Sequence, residues 1–417
     1  MTGLKFFGTA AVGLACALVG LSAIAVLFNG PDAPLADEGS ILAFCSLVLG
    51  AIAIFVAAMD RRTRSRRPVS HAVEDVVERV APQYDFTVIV PIYNRPELLV
   101  ALHRRLAELW PQWQACGTGE IVVVDDGSTD ATPAVARRVA ERSAIPMRVV
   151  SQANKGVSGA RNRGFWEARG RIGLVIDSDC LPDPSWLPAM LAAIRTAPRT
   201  LAFPNVYSER RVQHPLEASP SGAPFVGASF GVRVADYIEL GGNCELFGGA
   251  SRDDGDLYLN ATAAGFTICN VREAGVLHPI RSQTPWTIFR GGLEHRYDNL
   301  LAKRHGDRAL FYLGDALMGG SFAGHYPLTI VAYAYLLLAV YDLVAAIATR
   351  SVPNGFELFQ VLIVLAAIWL IAQAVFMRVL GVARSRWWDF IVGNASLAAG
   401  AALGRLRGTV QFAFVLL

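Results

Sequence analysis

Two aspartates, spaced two residues apart, follow an apolar run near the middle of the chain. The run from Ile172 to Ile176 is interrupted only by Gly173 and predicts a buried strand, which leads into Asp177-Ser178-Asp179. Because residues i and i+2 of an extended chain point to the same side, Asp177 and Asp179 can converge on one ligand. Two carboxylates at a strand's carboxyl end suit Mg²⁺ or Mn²⁺ holding a diphosphate. An isolated pair of this kind more often forms a turn or a helix cap. Neighbouring motifs must therefore show whether this pair binds a metal or is only structural.

Strand-like runs alternate with helical patterns around the aspartate pair. Strands are predicted at Phe86 to Val90, Glu120 to Val124, Met147 to Val150 and Leu201 to Val206, and helices at Leu98 to Trp110, at Ala131 to Arg142 and before Gly170. This alternation predicts an α/β fold with a mostly parallel sheet and right-handed crossovers. The loops at the carboxyl ends of the strands are polar or rich in glycine. A ligand crevice is therefore expected along that edge of the sheet.

The two ends of the chain are far more apolar than its middle. Hydrophobic residues make up 53% of the 417 residues and charged residues only 18%. Transmembrane helices are predicted at about 6–28, 41–59, 328–348 and 359–379, because these runs are long enough to cross a bilayer. The expected organisation is a membrane region at 1–67, a catalytic domain at 68–285, an interfacial amphipathic segment at 286–325 and a second membrane region at 326–417. The net charge of +3 and the lack of a basic stripe argue against nucleic-acid binding.

The charges beside the first two spans predict the topology. Five arginines lie between Arg61 and Arg67, whereas the linker from Asn29 to Ser40 has acidic residues and no basic ones. The positive-inside rule therefore predicts a multi-pass protein of the cell (inner) membrane with a cytoplasmic catalytic domain. Residues Trp286 to His305 mix aromatic and basic side chains and suit a helix lying on the membrane, in contact with lipid. The Gly- and Ala-rich run from Trp387 to Leu403 is interpreted as interfacial or re-entrant.

Four motifs in the middle of the chain carry a family resemblance. VIVPIYNRPELL, EIVVVDDGSTD, NKGVSGARNRG and DSD occur in this order between Phe86 and Arg281. Together they resemble the family 2 inverting glycosyltransferases of bacterial membranes, which have the GT-A fold. The resemblance implies a nucleotide-sugar donor and a divalent metal. Four motifs in the same order are far more specific than one.

The resemblance also implies roles for individual residues. Contact with the nucleotide sugar is implied for Pro91, Tyr93, Asn94, Asp126, Lys155, Gly156, Arg161 and Asp177. Within this set Asp126 is implied to bind the base, and Asp177 the ribose and the metal. Asp179 is implied to coordinate Mg²⁺ or Mn²⁺, and His278 is a further candidate ligand, although an ordinary hydrogen bond at a strand end is an equal alternative. Capping of the next helix remains open for Asp125, Ser128 and Asp130.

A second acidic pair, Asp253-Asp254, occupies the position of the family's catalytic pair. The family usually has Glu-Asp there and uses the second carboxylate as general base, so the resemblance implies this role for Asp254. Asp253 can tune its partner, because repulsion between like charges raises one pKa of such a pair. The alternative is that the cluster only complements the positive end of the following helix.

The expected function is transfer of a sugar to a hydroxyl of a lipid-linked or membrane-proximal glycan acceptor. Processive relatives carry a Q-x-x-R-W motif, but Gln283-Thr284-Pro285-Trp286 lacks its arginine, so non-processive transfer is expected. One alternative is a polyprenyl-phosphate glycosyltransferase, against which the paired N-terminal spans count. An alternative of another class is a membrane transporter or sensor with a nucleotide-binding domain. Asp342, within the third predicted span, is an acidic residue that a transport path could use, but one such residue is weak support for transport.

Overall fold

The computed structural model describes residues 81–209, 217–218, 227–248, 252–306, 308–309 and 387–412. The four predicted membrane spans, the arginine cluster from Arg61 to Arg67 and most of the loop from Tyr207 to Pro224 lie outside these residues. Among the described helices, none combines the length and the apolar character that a membrane crossing requires. The described residues therefore concern the predicted catalytic domain and the helices that follow it.

Strands and helices alternate through the first half of the described chain. In chain order the elements are β1 (Tyr84–Ile92), α1 (Pro96–Trp113), β2 (Gly119–Asp125), α2 (Thr132–Arg142), β3 (Met147–Ser151), α3 (Gly156–Glu167), β4 (Gly170–Ile176), β5 (Leu181–Pro182), α4 (Trp186–Thr196), β6 (Thr200–Tyr207), β7 (Glu217–Ala218), β8 (Ser229–Arg233), α5 (Val234–Glu239), α6 (Asp253–Ala263), β9 (Thr267–Leu277), β10 (Arg281–Ser282), α7 (Pro285–Leu293), α8 (Arg296–His305) and α9 (Trp387–Phe412). The predicted strands and helices of the α/β region are present, with ends shifted by a few residues.

One large sheet organises the domain, with the strand order β3-β2-β1-β4-β8-β6-β9-β5. Strands β3, β2, β1 and β4 are mutually parallel, as predicted. Strand β8 pairs antiparallel with both β4 and β6, and β9 returns parallel to β6. The sheet is therefore mixed, and the carboxyl ends of β1, β2 and β4 share one edge with the loop that precedes β8. Separately, β7 and β10 form a short antiparallel pair.

The alternation of side chains along the strands separates two hydrophobic cores. On β1, Val88 and Val90 face one core with the buried tryptophans Trp110, Trp113 and Trp186 of α1 and α4. Ile89 points to the opposite face, where the other core contains buried aromatic side chains from α3, β8 and α5. Residues two apart on a strand share a face, so the continuous apolar runs are explained by burial on both sides.

The C-terminal helix α9 packs on α7 and α8. Glycines Gly400, Gly404 and Gly408 lie one helical turn apart on the surface that meets these helices, where a side chain would collide with backbone carbonyls. The interfacial or re-entrant segment was expected to end at Leu403, but the helix continues to Phe412. Its continuation is explained by burial, because Arg405 is fully buried against α8.

Candidate active site

Asp126 organises the glycine-rich loop that follows β3. One of its carboxylate oxygens accepts hydrogen bonds from Gln152 Nε2 at 2.8 Å and Lys155 N at 2.9 Å, and the other accepts from Gly156 N at 2.8 Å. Gly156 has φ +80°, and a Cβ there would lie 2.8 Å from Gly248 O. Only glycine fits this position without strain. The structure thus shows Asp126 holding the loop, and its contact with a base remains a prediction.

Asn94 joins the loops after β1 and β2. It has φ +52°, its backbone N donates to Ser128 Oγ at 2.9 Å, and its Oδ1 accepts from Thr129 N at 2.8 Å. Between these loops, Pro91 is buried and Tyr93 is 45% exposed, so the tyrosine ring is available to a ligand. Asn94 therefore positions the loop that carries Tyr93.

The acidic residues around Asp126 form local turns. Asp125 Oδ1 accepts from Ser128 N at 3.1 Å, and Asp130 Oδ1 accepts from Thr132 N at 2.8 Å. These bonds favour the structural alternative for Asp125, Ser128 and Asp130 that the sequence left open.

Arg161 was expected to contact the donor, but the structure buries it. It is 3% exposed, and its guanidinium donates to Asp253 Oδ2 at 2.6 Å, Asp177 Oδ1 at 3.0 Å and Gly227 O at 2.7 Å. Burial lowers the pKa of Arg161, but attraction by Asp177 and Asp253 raises this pKa above its usual value. Contact with the donor is not supported by this burial. Arg161 instead joins the end of β4 to the start of α6.

The predicted catalytic pair begins helix α6. Asp253 is 3% exposed, and burial raises its pKa to about 7 against the opposing effect of Arg161. The nearby carboxylates of Asp254 and Asp177 raise it further. Asp254 is only half-buried, and its carboxylate accepts from Gly255 N at 2.7 Å. The arrangement leaves Asp254 accessible, whereas Asp253 is enclosed with Arg161.

Asp179 and His278 come together at the ends of β4 and β9. His278 Nε2 lies 3.9 Å from Asp179 Oδ1, and the Cys180 thiol is within the same group. A carboxylate and an imidazole suit Mg²⁺ or Mn²⁺, whereas a buried thiol does not. Burial raises the pKa of Cys180 well above its usual value, so its sulfur stays protonated. The residues present therefore fit a hard divalent cation at Asp179 and His278.

Asp177, which was also predicted as a metal ligand, lies outside this group, and its contact with a metal remains a prediction. The described residues whose donor atoms converge are Asp179, Cys180 and His278, and Asp177 is not among them. Its carboxylate is instead paired with Arg161 at 3.0 Å. Because a buried charge is costly unless it is paired, the burial of Arg161 accounts for this contact.

One charged residue beside Asp179 was not predicted from the sequence. Arg281 forms an ion pair with Asp179, although it lies on the short strand β10. Burial and the nearby charge of Arg95 lower the pKa of Arg281. No local pattern marks Arg281, because its position depends on the pairing of β10 with β7.

Lys155 lies beside a separate open cavity of about 230 Å³ between α3 and α5. Its Nζ is 3.8 Å from Glu245 Oε2, and Trp166 and Tyr237 also line the cavity. The sequence predicted Lys155 as a nucleotide-sugar contact, and this role remains a prediction.

The fold and the site define an α/β domain that gathers acidic residues and a glycine-rich loop at one edge of its sheet. Residues 87–229 match the family model described as glycosyl transferase family 2. Over these residues the chain is similar to glycosyltransferase family 2.

Curated relatives match part of this chain. A dodecaprenyl-phosphate galacturonate synthase of Rhizobium johnstonii is 33% identical over 111 residues, which are 26% of this chain and 32% of the relative. The succinoglycan biosynthesis protein ExoO of Rhizobium meliloti is 38% identical over 127 residues, covering 29% of this chain and 33% of the relative. The chain thus spans about a third of the length of these relatives.

One similar solved structure is a mannosyltransferase of Pyrobaculum calidifontis in complex with GDP-Man and Mn²⁺. It is 19% identical to this chain, with a TM-score of 0.48. The alignment covers 87% of this chain and 97% of the mannosyltransferase.

Proposed function

We propose that this protein is an inverting, non-processive glycosyltransferase. It moves a sugar from a nucleotide-sugar donor to a hydroxyl of a lipid-linked or membrane-proximal glycan acceptor at the cytoplasmic face of the cell membrane. The observation that carries the proposal is that a domain matching family 2 brings Asp179, His278 and Asp254 to the same edge of one sheet.

The donor would lie along the carboxyl ends of β1, β2 and β4. Tyr93 is exposed for contact with the base, and the loop at Lys155 and Gly156 is held by Asp126. The ammonium group of Lys155, at the start of α3, suits a diphosphate, and the positive end of the helix dipole adds to its attraction for negative charge. These residues supply binding and orientation.

Asp179 and His278 would hold Mg²⁺ or Mn²⁺. When bound, the metal neutralises the negative charge that develops on the leaving diphosphate. Arg281, which pairs with Asp179, adds a second positive charge beside the diphosphate. A leaving group surrounded in this way departs more readily because its developing charge is stabilised.

Asp254 would act as the general base. Its carboxylate takes the proton of the acceptor hydroxyl while the hydroxyl oxygen attacks the anomeric carbon and the bond to the diphosphate breaks. Attack from the face opposite the diphosphate inverts the anomeric configuration. Asp253 and Arg161 hold the start of α6 in place for this step.

A polyprenyl-phosphate glycosyltransferase is the second candidate. The names of several relatives support it, among them the dodecaprenyl-phosphate galacturonate synthase and a dolichol-phosphate mannosyltransferase of Pyrococcus furiosus, which is 36% identical over 110 residues. In that reaction the acceptor is an ionised phosphate, which has no proton to remove. Asp254 would then contribute little as a base.

The test uses the full-length protein and a panel of UDP-, GDP- and dTDP-sugars. Calorimetry with and without Mn²⁺ identifies the donor, and labelled transfer to polyprenyl phosphate or to hydroxyl-bearing glycolipids identifies the acceptor. Metal-dependent binding and transfer to a hydroxyl support the leading proposal. Transfer to polyprenyl phosphate supports the second candidate, and no binding of any nucleotide sugar would contradict both.

A further inference from the structure

Arg252 stands directly before the aspartate pair and has a left-handed backbone conformation. Its φ is +68° and its ψ is −6°, a region that residues with a Cβ rarely occupy. Its carbonyl accepts a hydrogen bond from Asp256 N at 2.9 Å in the first turn of α6. The direction in which α6 begins, and hence the position of Asp254, depends on this conformation.

A buried carboxylate on α8 contacts the Arg252 side chain. Asp298 on α8 is fully buried and accepts from Arg252 Nε at 2.6 Å and from His295 Nδ1 at 2.8 Å. Arg405 on α9 donates to the same carboxylate at 3.0 Å and 3.2 Å. Burial raises the pKa of Asp298, but Arg252, His295 and Arg405 lower this pKa well below its usual value. Asp298 therefore stays ionised.

A second contact fixes the body of α6 independently. Asp256 is fully buried and accepts from Arg304 Nε at 2.6 Å and His305 Nε2 at 2.7 Å, both at the end of α8. The contacts of Asp256 therefore fix the body of α6 against α8. The contact between Arg252 and Asp298 fixes the residue that precedes the helix.

The packing of α9 brings Arg405 to this position. A Cβ at Gly404 would lie 2.6 Å from Leu293 O, so the absence of a side chain lets α9 approach the junction of α7 and α8. Arg405 follows Gly404 and is fully buried, and Thr409 Oγ1 lies 3.2 Å from Asn299 Nδ2 one turn further along. The C-terminal helix thus reaches the start of α6 through Asp298.

We propose that Asp298 and Arg405 are positioning residues for Asp254. Through Arg252 they hold the left-handed turn from which the catalytic helix starts, so the C-terminal helix α9 is part of the machinery that orients the base. The inference rests on the proposed function, because it concerns the same Asp254. Neither Asp298 nor Arg405 belongs to a motif that the sequence analysis singled out.

The experiment compares variants of the full-length chain at Arg252. Arg252→Met keeps the length of the side chain but loses the bond to Asp298, whereas Arg252→Gly adopts a positive φ without that bond. We expect kcat to fall about 10- to 100-fold in Arg252→Met and clearly less in Arg252→Gly. The dissociation constant of the donor should change less than about twofold in both, because Arg252 is not among the residues proposed to bind the donor.

Variants further along the network test the link to α9. Asp298→Asn and Arg405→Met should lower kcat with little change in donor affinity. Arg405→Lys should have a higher kcat than Arg405→Met, because it keeps the positive charge. Adding Arg252→Gly to Asp298→Asn should restore part of the lost kcat. Asp85→Asn is the matched control, because Asp85 lies at the amino end of β1, far from this edge, where its carboxylate accepts hydrogen bonds from Thr118. A purely structural role would lower donor affinity and kcat together.

Hydrogen exchange separates failure of this inference from failure of the proposed function. Amides of residues 253–256 should exchange faster in Arg252→Met than in the wild type, whether or not transfer is observed. Unchanged exchange there, or equal kcat in Arg252→Met and Arg252→Gly, would overturn the inference. A wild type that transfers no sugar, with the expected changes in exchange, would overturn the proposed function alone.

Discussion

Arg161 Nη1 lies 2.6 Å from Asp253 Oδ2, and both side chains are almost completely buried. The other terminal nitrogen of the same guanidinium reaches Asp177, so one arginine joins the acidic end of β4 to the acidic start of α6. The two halves of the candidate site are thereby held at a set distance by a group that is itself shielded from solvent.

Replacing Arg161 should destabilise the fold. Arg161→Gln would leave Asp253 buried without its cation, and removal of one partner of a buried ion pair costs about 3–5 kcal/mol. Chemical unfolding of the full-length protein measures this change in free energy. Arg163→Gln is the control, because Arg163 is 42% exposed and pairs with Glu167 on the same helix. A pair of that kind contributes about 0.3–0.5 kcal/mol. Similar losses in the two variants would contradict the role of Arg161.

Removing the carboxylate of Asp254 should stop catalysis without preventing binding. Asp254→Asn keeps the shape of the side chain but cannot accept the acceptor's proton, so kcat should fall about 10²- to 10⁴-fold. The dissociation constant of the donor, measured by calorimetry, should stay close to that of the wild type. Asp236→Asn is a suitable control, because Asp236 bonds only to Arg199 N on the far side of the domain. Full transfer by Asp254→Asn would show that Asp254 is not the base, as the polyprenyl-phosphate alternative requires.

Metal-dependent binding should depend on Asp179 and His278. Asp179→Ala and His278→Ala are expected to weaken the binding of Mn²⁺ and of the donor, because each removes a ligand of a hard cation. Titration of Mn²⁺ in the presence of the nucleotide diphosphate measures both effects. Cys180→Ser tests the neighbouring thiol and should change the affinity little, since that thiol stays protonated. Equal metal affinity in all three variants would place the metal elsewhere.

Asp253 should make stability depend on pH. Its pKa is raised to about 7 in the folded chain, from a usual value of 3.8, so the folded state binds this proton more tightly than the unfolded state. The stabilisation is complete below the unfolded pKa and is lost as the pH rises through about 7. The slope of one such group reaches at most about 1.4 kcal/mol per pH unit. Unfolding free energies of the wild type and Asp253→Asn from pH 4 to pH 8 should therefore converge or cross rather than run parallel. Parallel curves would contradict the raised pKa.

Gly156→Ala should impair the donor loop. Gly156 has φ +80°, and an added Cβ would lie 2.8 Å from Gly248 O, so the loop would have to move. We expect weaker nucleotide-sugar binding and a smaller loss of stability, measured by calorimetry and thermal unfolding. Gly265→Ala is the matched control, since it also has a positive φ but an added Cβ would meet nothing within 4 Å. Equal effects on binding in the two variants would show that strain alone, without the contact to Gly248, accounts for the loss.

The sequence by itself determined the α/β region and the location of its ligand edge. Apolar runs such as those of β1 and β4, and the order of the loops that follow them, are local signals that predict a strand and its end. Asp179 and His278 were singled out partly because each follows a predicted strand, whereas the role of Asp254 came from the family resemblance. The roles of all three remain predictions. The predicted spans remain predictions outside the described residues.

Only the tertiary structure decided how these residues are paired. Arg161 and Asp253 are 92 positions apart, and Arg405 and Asp298 are 107 apart, so no periodicity links them. Arg161 becomes an enclosed cation only because β8 lies beside β4, and there its guanidinium pairs with Asp177. Arg405 reaches Asp298 only because a row of glycines lets α9 lie against α7 and α8. Such pairings depend on the burial and distance of groups remote in the chain, which a local pattern does not contain.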